Sequence, residues 1–203
     1  MNNIKNNLLS VVKTFAVVAA IGLSIGKAQG VFITEIADPH NVATGGRFVE
    51  LYNNTDADID LTGWALRRWT NANTDPQADK ALQGTIPAGG FFIITNSASD
   101  FEITYYIEAN QDIGTGGPAD GNGDDDLALI NANGEVVDLY GEGGGTDNSG
   151  TSWEFEDGRA ERIATVTAGN PTGDSAEWNI DNDSGGGDGP QEAPGDYDPG
   201  AWI

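Results

Sequence analysis

The stretch RFVELYNNTDADIDLTGWALRRW, residues 47–69, packs strand chemistry and turn chemistry side by side. RFVELYN (47–53) sets Phe48, Val49, Leu51 and Tyr52 on positions that suit a pleated surface. NNTDAD then supplies turn formers, and DIDL (58–61) resumes a short strand. Asp60 can close an Asx-type turn, with Gly63 relaxing the backbone before Trp64. GWALRRW (63–69) alternates again: Trp64, Leu66 and Arg68 on one face, Ala65, Arg67 and Trp69 on the other.

The same rhythm extends outward. VFITEIA (31–37) precedes it, and GGFFIIT (89–95) follows as a continuous apolar run, the pattern of a central strand. DLALIN (126–131) and EVVDLYG (135–141) flank Ala132-Asn133-Gly134, a hairpin signal. TSWEFE (151–156) and RAERIATV (159–166) read as strands around Asp157-Gly158. Only SASDFEITYYI (97–107) could hold a helical turn, capped by Ser97 or Ser99. Short strands at this spacing predict an all-β sandwich or barrel. Trp64, Phe92 and Leu129 are expected in its core.

The first 28 residues have a different character. Lys5 and Lys13 precede the apolar run TFAVVAAIGLSIG (14–26), and Gly26 and Ala28 stand at the small positions of a cleavage site. This is the pattern of a secretory signal peptide cut after Ala28. The run falls short of the roughly 20 residues that span a bilayer, so no membrane span is expected after cleavage. Cleavage removes three lysines and no acid, taking the net charge from −23 to −26 over 175 residues. Such a chain is not expected to bind nucleic acid directly, because phosphate contacts need clustered Lys and Arg. It has no cysteine, so core burial or metal must replace disulfides.

From about Asn179 the composition turns to acid, Gly and Pro. The chain thus divides into a leader (1–28), a β-domain (29–178) and an acidic extension (179–203). Such an extension can be a mobile tail. Tyr197 and Trp202 near its end favour a return to dock on the domain.

Several motifs together resemble the lamin tail domain in its bacterial secreted form. They are Glu35 near the end of a strand, Phe48-Val49-Glu50-Leu51, Asn53-Asn54, Asp60-Leu61-Thr62-Gly63-Trp64, and Pro87-Ala88-Gly89-Gly90 before an aromatic strand. GDDDLALINANGEVVDLYG (123–141) is similar to the family's second hairpin, and Ala160-Glu161-Arg162 and Glu177-Trp178 to its closing elements. The resemblance implies an immunoglobulin-like β-sandwich, typically non-catalytic. In bacteria such domains accompany secreted or surface hydrolases and are thought to tether them. This chain departs from that pattern in carrying no companion catalytic domain.

Catalytic signatures are sparse. The one histidine, His40, sits in a loop after Pro39, and no Cys nucleophile exists. GEGGGTDNSG (141–150) lacks the lysine and following helix of a phosphate-binding loop. The best candidate site is DGNGDDD (120–126). Asp120, Asn122, Asp124 and Asp126 offer oxygens at alternate positions, as calcium loops do, with Gly121 and Gly123 between them. Its sixth and twelfth positions, Asp125 and Asn131, depart from an EF-hand, and a plain turn is the alternative. A second cluster, Asp181, Asp183 and Asp188, would complete a site if the tail folds back.

The expectation is a secreted, non-enzymatic interaction or attachment module, with calcium the one candidate cofactor and a protein or surface polymer the partner. The alternative is a secreted hydrolase of nuclease or phosphoesterase type, or an accessory chain to one. The destination is extracellular, cell surface or periplasm. Mass spectrometry of the exported protein should find Gln29 as its first residue; an intact Met1–Ala28 leader would refute the cleavage reading.

Overall fold

No residue of the first strand is open to water: β1 (Val31–Ala37) is buried along its whole length. Antiparallel sheets commonly leave one face solvated, so something must cover each side of it. The computed structural model describes residues 30–184 and 187–202. The expected signal peptide lies outside the described residues.

The large sheet has six strands. β1 is flanked by β2 (Phe48–Asn53) and β11 (Arg159–Arg162); β7 (Phe91–Thr95) and β8 (Gln111–Asp112) extend it beyond β2, and β12 (Trp178–Asp181) beyond β11. The small sheet runs β10 (Val136–Tyr140), β9 (Asp126–Ile130), β4 (Ala65–Trp69) and β5 (Lys80–Ala81). A two-strand pair, β3 (Ile59–Asp60) and β6 (Thr85–Ile86), completes the set. The fold is the expected all-β, immunoglobulin-like sandwich. The structure carries the last strand to Asp181, past Trp178.

The core fills the space between the sheets. Ile33, Val49, Leu51 and Ile94 come from the large sheet, and Leu66, Leu129 and Tyr140 from the small one. Ile33 and Ile36 both point into it, which a strict period of two forbids. A β-bulge between Ile33 and Glu35 resets the parity. It also turns Glu35 to the opposite face, beside Glu50 of β2.

Local turns follow their residues. Asp60 Oδ1 accepts from both the N–H and the hydroxyl of Thr62, each at 2.8 Å, and Gly63 takes φ +85°. Ser97 is the N-cap of α1 (Ala98–Tyr105). The glycine-rich loop after β10 crosses the outer face of the small sheet. A Cβ at Gly144 would stand 2.5 Å from the Trp69 ring, so only glycine lets the loop close over Trp69, Ala128, Ile130 and Leu139 on that face.

Two expectations need correction. Residues 151–156 form turns rather than a strand. Trp153 and Phe155 instead plug the end of the core against Tyr140, at centroid distances of 5.0 and 5.4 Å. Phe92 and Leu129 are buried, but Trp64 is only partly so and packs on the core's edge. The corner that positions it also lifts it toward solvent. Leu129→Ala should therefore cost about 2–5 kcal/mol, and Trp64→Ala less than that, in urea unfolding. The reverse ranking would contradict this packing.

Candidate functional site

Three groups of acidic side chains compete for attention, and the structure treats them differently. In the 120–126 turn the four sequence candidates do not converge. Asp120 accepts from Asn96 Nδ2 at 2.7 Å and from the Gly116 N–H at 2.6 Å. Asp126 faces the glycine-rich loop and accepts from the N–H groups of Glu142 and Gly144 and from Asn148 Nδ2. Asp124 takes one bond from Asn71 Nδ2 at 3.2 Å, while its Oδ1 is buried with no partner among the described residues. Burial and the neighbouring Asp125 push the Asp124 carboxyl up. The Asn122 side chain lies beside Asp124 and acts against that rise. Asp125, the sixth position of the loop, takes the buried Arg68 guanidinium at Nε, 2.7 Å, and at Nη2.

The second group is a row of glutamates on the outer face of the large sheet. Cross-strand register sets Glu161, Glu35 and Glu50 side by side on β11, β1 and β2. Arg159 reaches Glu35 at 3.3 Å and Asp198 at 3.3 Å. Glu50 accepts from Thr34 Oγ1 and from the Gly200 N–H, both at 2.6 Å. Asp198 and Gly200 belong to the C-terminal strap, residues 187–202, which covers this face. Tyr197 donates to the Gly158 carbonyl at 2.9 Å, and Trp202 Nε1 to the Arg162 carbonyl at 2.6 Å. Trp202 also stacks edge-on against Phe32, at 5.5 Å between centroids. Glu35 and Glu50 are 1% and 0% exposed, too deep to meet a substrate in this arrangement. The sequence hides the row because the bulge sets the pairing.

The third group lies where the strap begins. Asp181, Asp183 and Asp188 each offer a carboxylate oxygen within 4.8 Å of the other two. Among the described residues they are the cluster with metal-ligand geometry. His40 stands apart, half-exposed, its Nδ1 3.3 Å from Asp157. No hydroxyl is hydrogen-bonded to it among the described residues.

A two-sheet sandwich closed by a strap, with its acids spent on turns, sheet edges and the strap, has the build of an interaction domain. The pattern that defines the Lamin Tail Domain matches residues 26–144, more than half of the chain, and the protein belongs to that family. The match spans β1 to β10; β11, β12 and the strap lie beyond it. No curated protein matches the chain. Lamin tail domains are non-catalytic interaction domains in type. No helix among the described residues is long and apolar enough to cross a membrane.

The buried carboxylates generate a pH dependence. Burial raises Glu35 to about 8, against the attraction of Arg159, and Glu50 to about 7, each from an ordinary 4.5. Burial likewise raises Asp38 from 3.8 to about 6, against Arg47 at 2.6 Å. All three hold their protons more tightly folded than unfolded. Their stabilisation is full below the ordinary values and lost as pH climbs through about 6, 7 and 8. The lowered carboxyls of Asp60 and Asp79 act in the opposite sense, below 3.8 and outside this window. Tm should fall between about pH 5 and pH 9 and the slope should flatten in Glu35→Gln and Glu50→Gln. A flat wild-type profile would contradict the assignment.

Proposed function

We propose that the protein is a secreted, non-catalytic interaction module that attaches to a partner protein through the tip of α1. One observation carries this reading. Tyr106 caps the helix in the left-handed conformation, φ +63°, where glycine is strongly preferred, and its side chain is 82% exposed. A bulky residue held there costs about 1–2 kcal/mol relative to glycine. Strain of this kind with an exposed aromatic is a mark of a functional surface. Ile103, 72% exposed, and Ile107 extend the patch. Glu102 and Glu108 border it, so a partner with an apolar centre and basic rim fits.

Secretion rests on the leader and its cleavage site. A surface polymer in place of a protein would be met by the same patch through stacking on Tyr106. The rival hydrolase reading lacks a comparable observation: its deepest carboxylate pair, Glu35 and Glu50, is sealed beneath the strap. The ion dependence expected of so acidic a chain belongs to the proposal too, and the tail triad supports it better than the 120–126 turn.

The test separates fold from function at one position. Tyr106→Gly should keep or raise Tm by relieving the left-handed strain, yet abolish partner capture. A photo-crosslinker at residue 106 should join one defined surface partner, and the same probe at Asn133, on the opposite hairpin, should not. Equal capture by both probes, or full capture by Tyr106→Gly, would refute the assignment.

A further inference from the structure

The strap leaves the sandwich at a point crowded with negative charge. Asp181 ends β12, and Asp183 and Asp188 come from the turn that follows. Asp181 and Asp188 open onto a cleft of about 470 Å³ lined also by Arg159, Gln191 and Asp196. Acidic clusters are common on a surface like this one, so the triad by itself decides nothing.

Buried oxygens without donors decide it. Gln191 is only 9% exposed, and its Nε2 donates to Asp181 Oδ2. The other atom of that amide, Oε1, is therefore in the same cleft, and it is buried with no partner among the described residues. Asp183 Oδ1 accepts from the Gly189 N–H at 3.1 Å, while its Oδ2 is buried and equally unpartnered. Buried acceptors are nearly always satisfied, so two of them on and beside one carboxylate cluster call for a missing donor or a cation. No Lys or Arg forms an ion pair with any of the three aspartates among the described residues. Arg159 lines the cleft but is committed to Glu35 and Asp198.

The backbone makes room for the same purpose. A Cβ at Gly187 would stand 2.3 Å from Asp183 Oδ1, 2.8 Å from Asp181 Oδ1 and 2.9 Å from the Asn182 carbonyl oxygen. These three oxygens face one small space that any other residue would fill. The donor set is all oxygen, carboxylate, amide and carbonyl, with no imidazole or thiolate. Such a set suits a hard cation, and its flexible loop geometry suits calcium better than magnesium, which demands a near-ideal octahedron.

We propose that Asp181, Asp183, Asp188 and Gln191 bind one calcium ion, and that the ion fastens the C-terminal strap to the end of β12. Gln191 is the hinge of that fastening. Its N–H donates to the Asp157 carbonyl at 3.1 Å, and its carbonyl accepts from the His40 N–H at 3.0 Å. Beyond it, Ala193, Tyr197, Gly200 and Trp202 lie over the large sheet. Without the ion, three like charges push apart at the base of the strap. With it, the strap closes over Phe32, Phe48 and the glutamate row. This site goes beyond the α1 contact proposed above and shares no residue with it.

Calorimetric titration of the purified protein with calcium chloride tests the site. One ion per chain is expected, with a rise in Tm larger than sodium chloride gives at equal ionic strength. Limited proteolysis should cut the strap faster in chelator than in calcium. Asp183→Asn and Gln191→Ala should weaken calcium binding by about tenfold or more, whereas Asp124→Asn in the 120–126 turn should leave it intact. Asp188 is exposed, so Asp188→Asn keeps the fold while losing a ligand, and should also bind more weakly. Calcium behaving no differently from matched sodium would overturn the site. So would binding that survives Asp188→Asn unchanged, or that is lost in Asp124→Asn. Tyr106→Gly should bind calcium normally, which keeps failure here distinct from failure of the α1 surface.

Discussion

The two sheets are joined by one buried ion pair. Arg162 of β11 and Asp138 of β10 are fully buried, with Nη2 and Oδ2 2.5 Å apart. Each has its remaining valences filled. Asp138 accepts from the N–H groups of Ile33 at 2.8 Å and Asn170 at 2.8 Å. Arg162 donates to the Ile33 carbonyl and to Glu177, and its guanidinium lies 3.8 Å from the Trp178 ring centroid. A buried pair of this kind contributes little net stability over an apolar one, but losing one partner strands a charge and costs about 3–5 kcal/mol. In a chain without disulfides it serves as the specific cross-link between layers. It meets β1 at Ile33, beside the bulge, and so supports the register that places Glu35 and Glu50.

That register explains why the strap exists. The bulge turns Glu35 outward beside Glu50 and Glu161, on a face that also carries Phe32 and Phe48. A mixed apolar and acidic face is poorly suited to water and to burial alike. The strap resolves the conflict by covering the rings with Tyr197 and Trp202 while offering the Gly200 N–H to Glu50. Its own acidic composition then concentrates charge at its root, around Asp181. The strap and the buried row are two consequences of one sheet face.

The surface that remains is strongly acidic, with its apolar side chains of size at Ile103, Tyr106 and Ile107. Ile103 sits on α1, and Tyr106 and Ile107 follow its C-terminal end, on the connection between β7 and β8 at the edge of the large sheet. A contact there can change without disturbing the sandwich, because α1 is anchored independently by Phe101 and Tyr105 against Phe48. The residues that anchor α1 and those this segment leaves exposed are therefore different ones.

Alternation in residues 47–53, 63–69 and 126–141 was enough to define the strands, because period two is a local property of the chain. The Asp60 turn and the hairpin at Gly134 were equally legible, since each is satisfied within a few residues. The family likeness rested on the same local motifs. What joins distant segments was not legible. The Arg162–Asp138 pair, the Arg68–Asp125 pair and the glutamate row depend on which strands become neighbours and on a one-residue bulge. The alternate oxygens of Asp120, Asn122, Asp124 and Asp126 looked like a ligand set in one dimension, yet three-dimensional packing sends Asp120 and Asp126 to different donors. The triad of Asp181, Asp183 and Asp188 was visible as spacing, but Gln191 was not. Sequence determines the period, the turns and the charge of this protein; only tertiary structure decides which oxygens converge, because convergence is set by long-range pairing and burial.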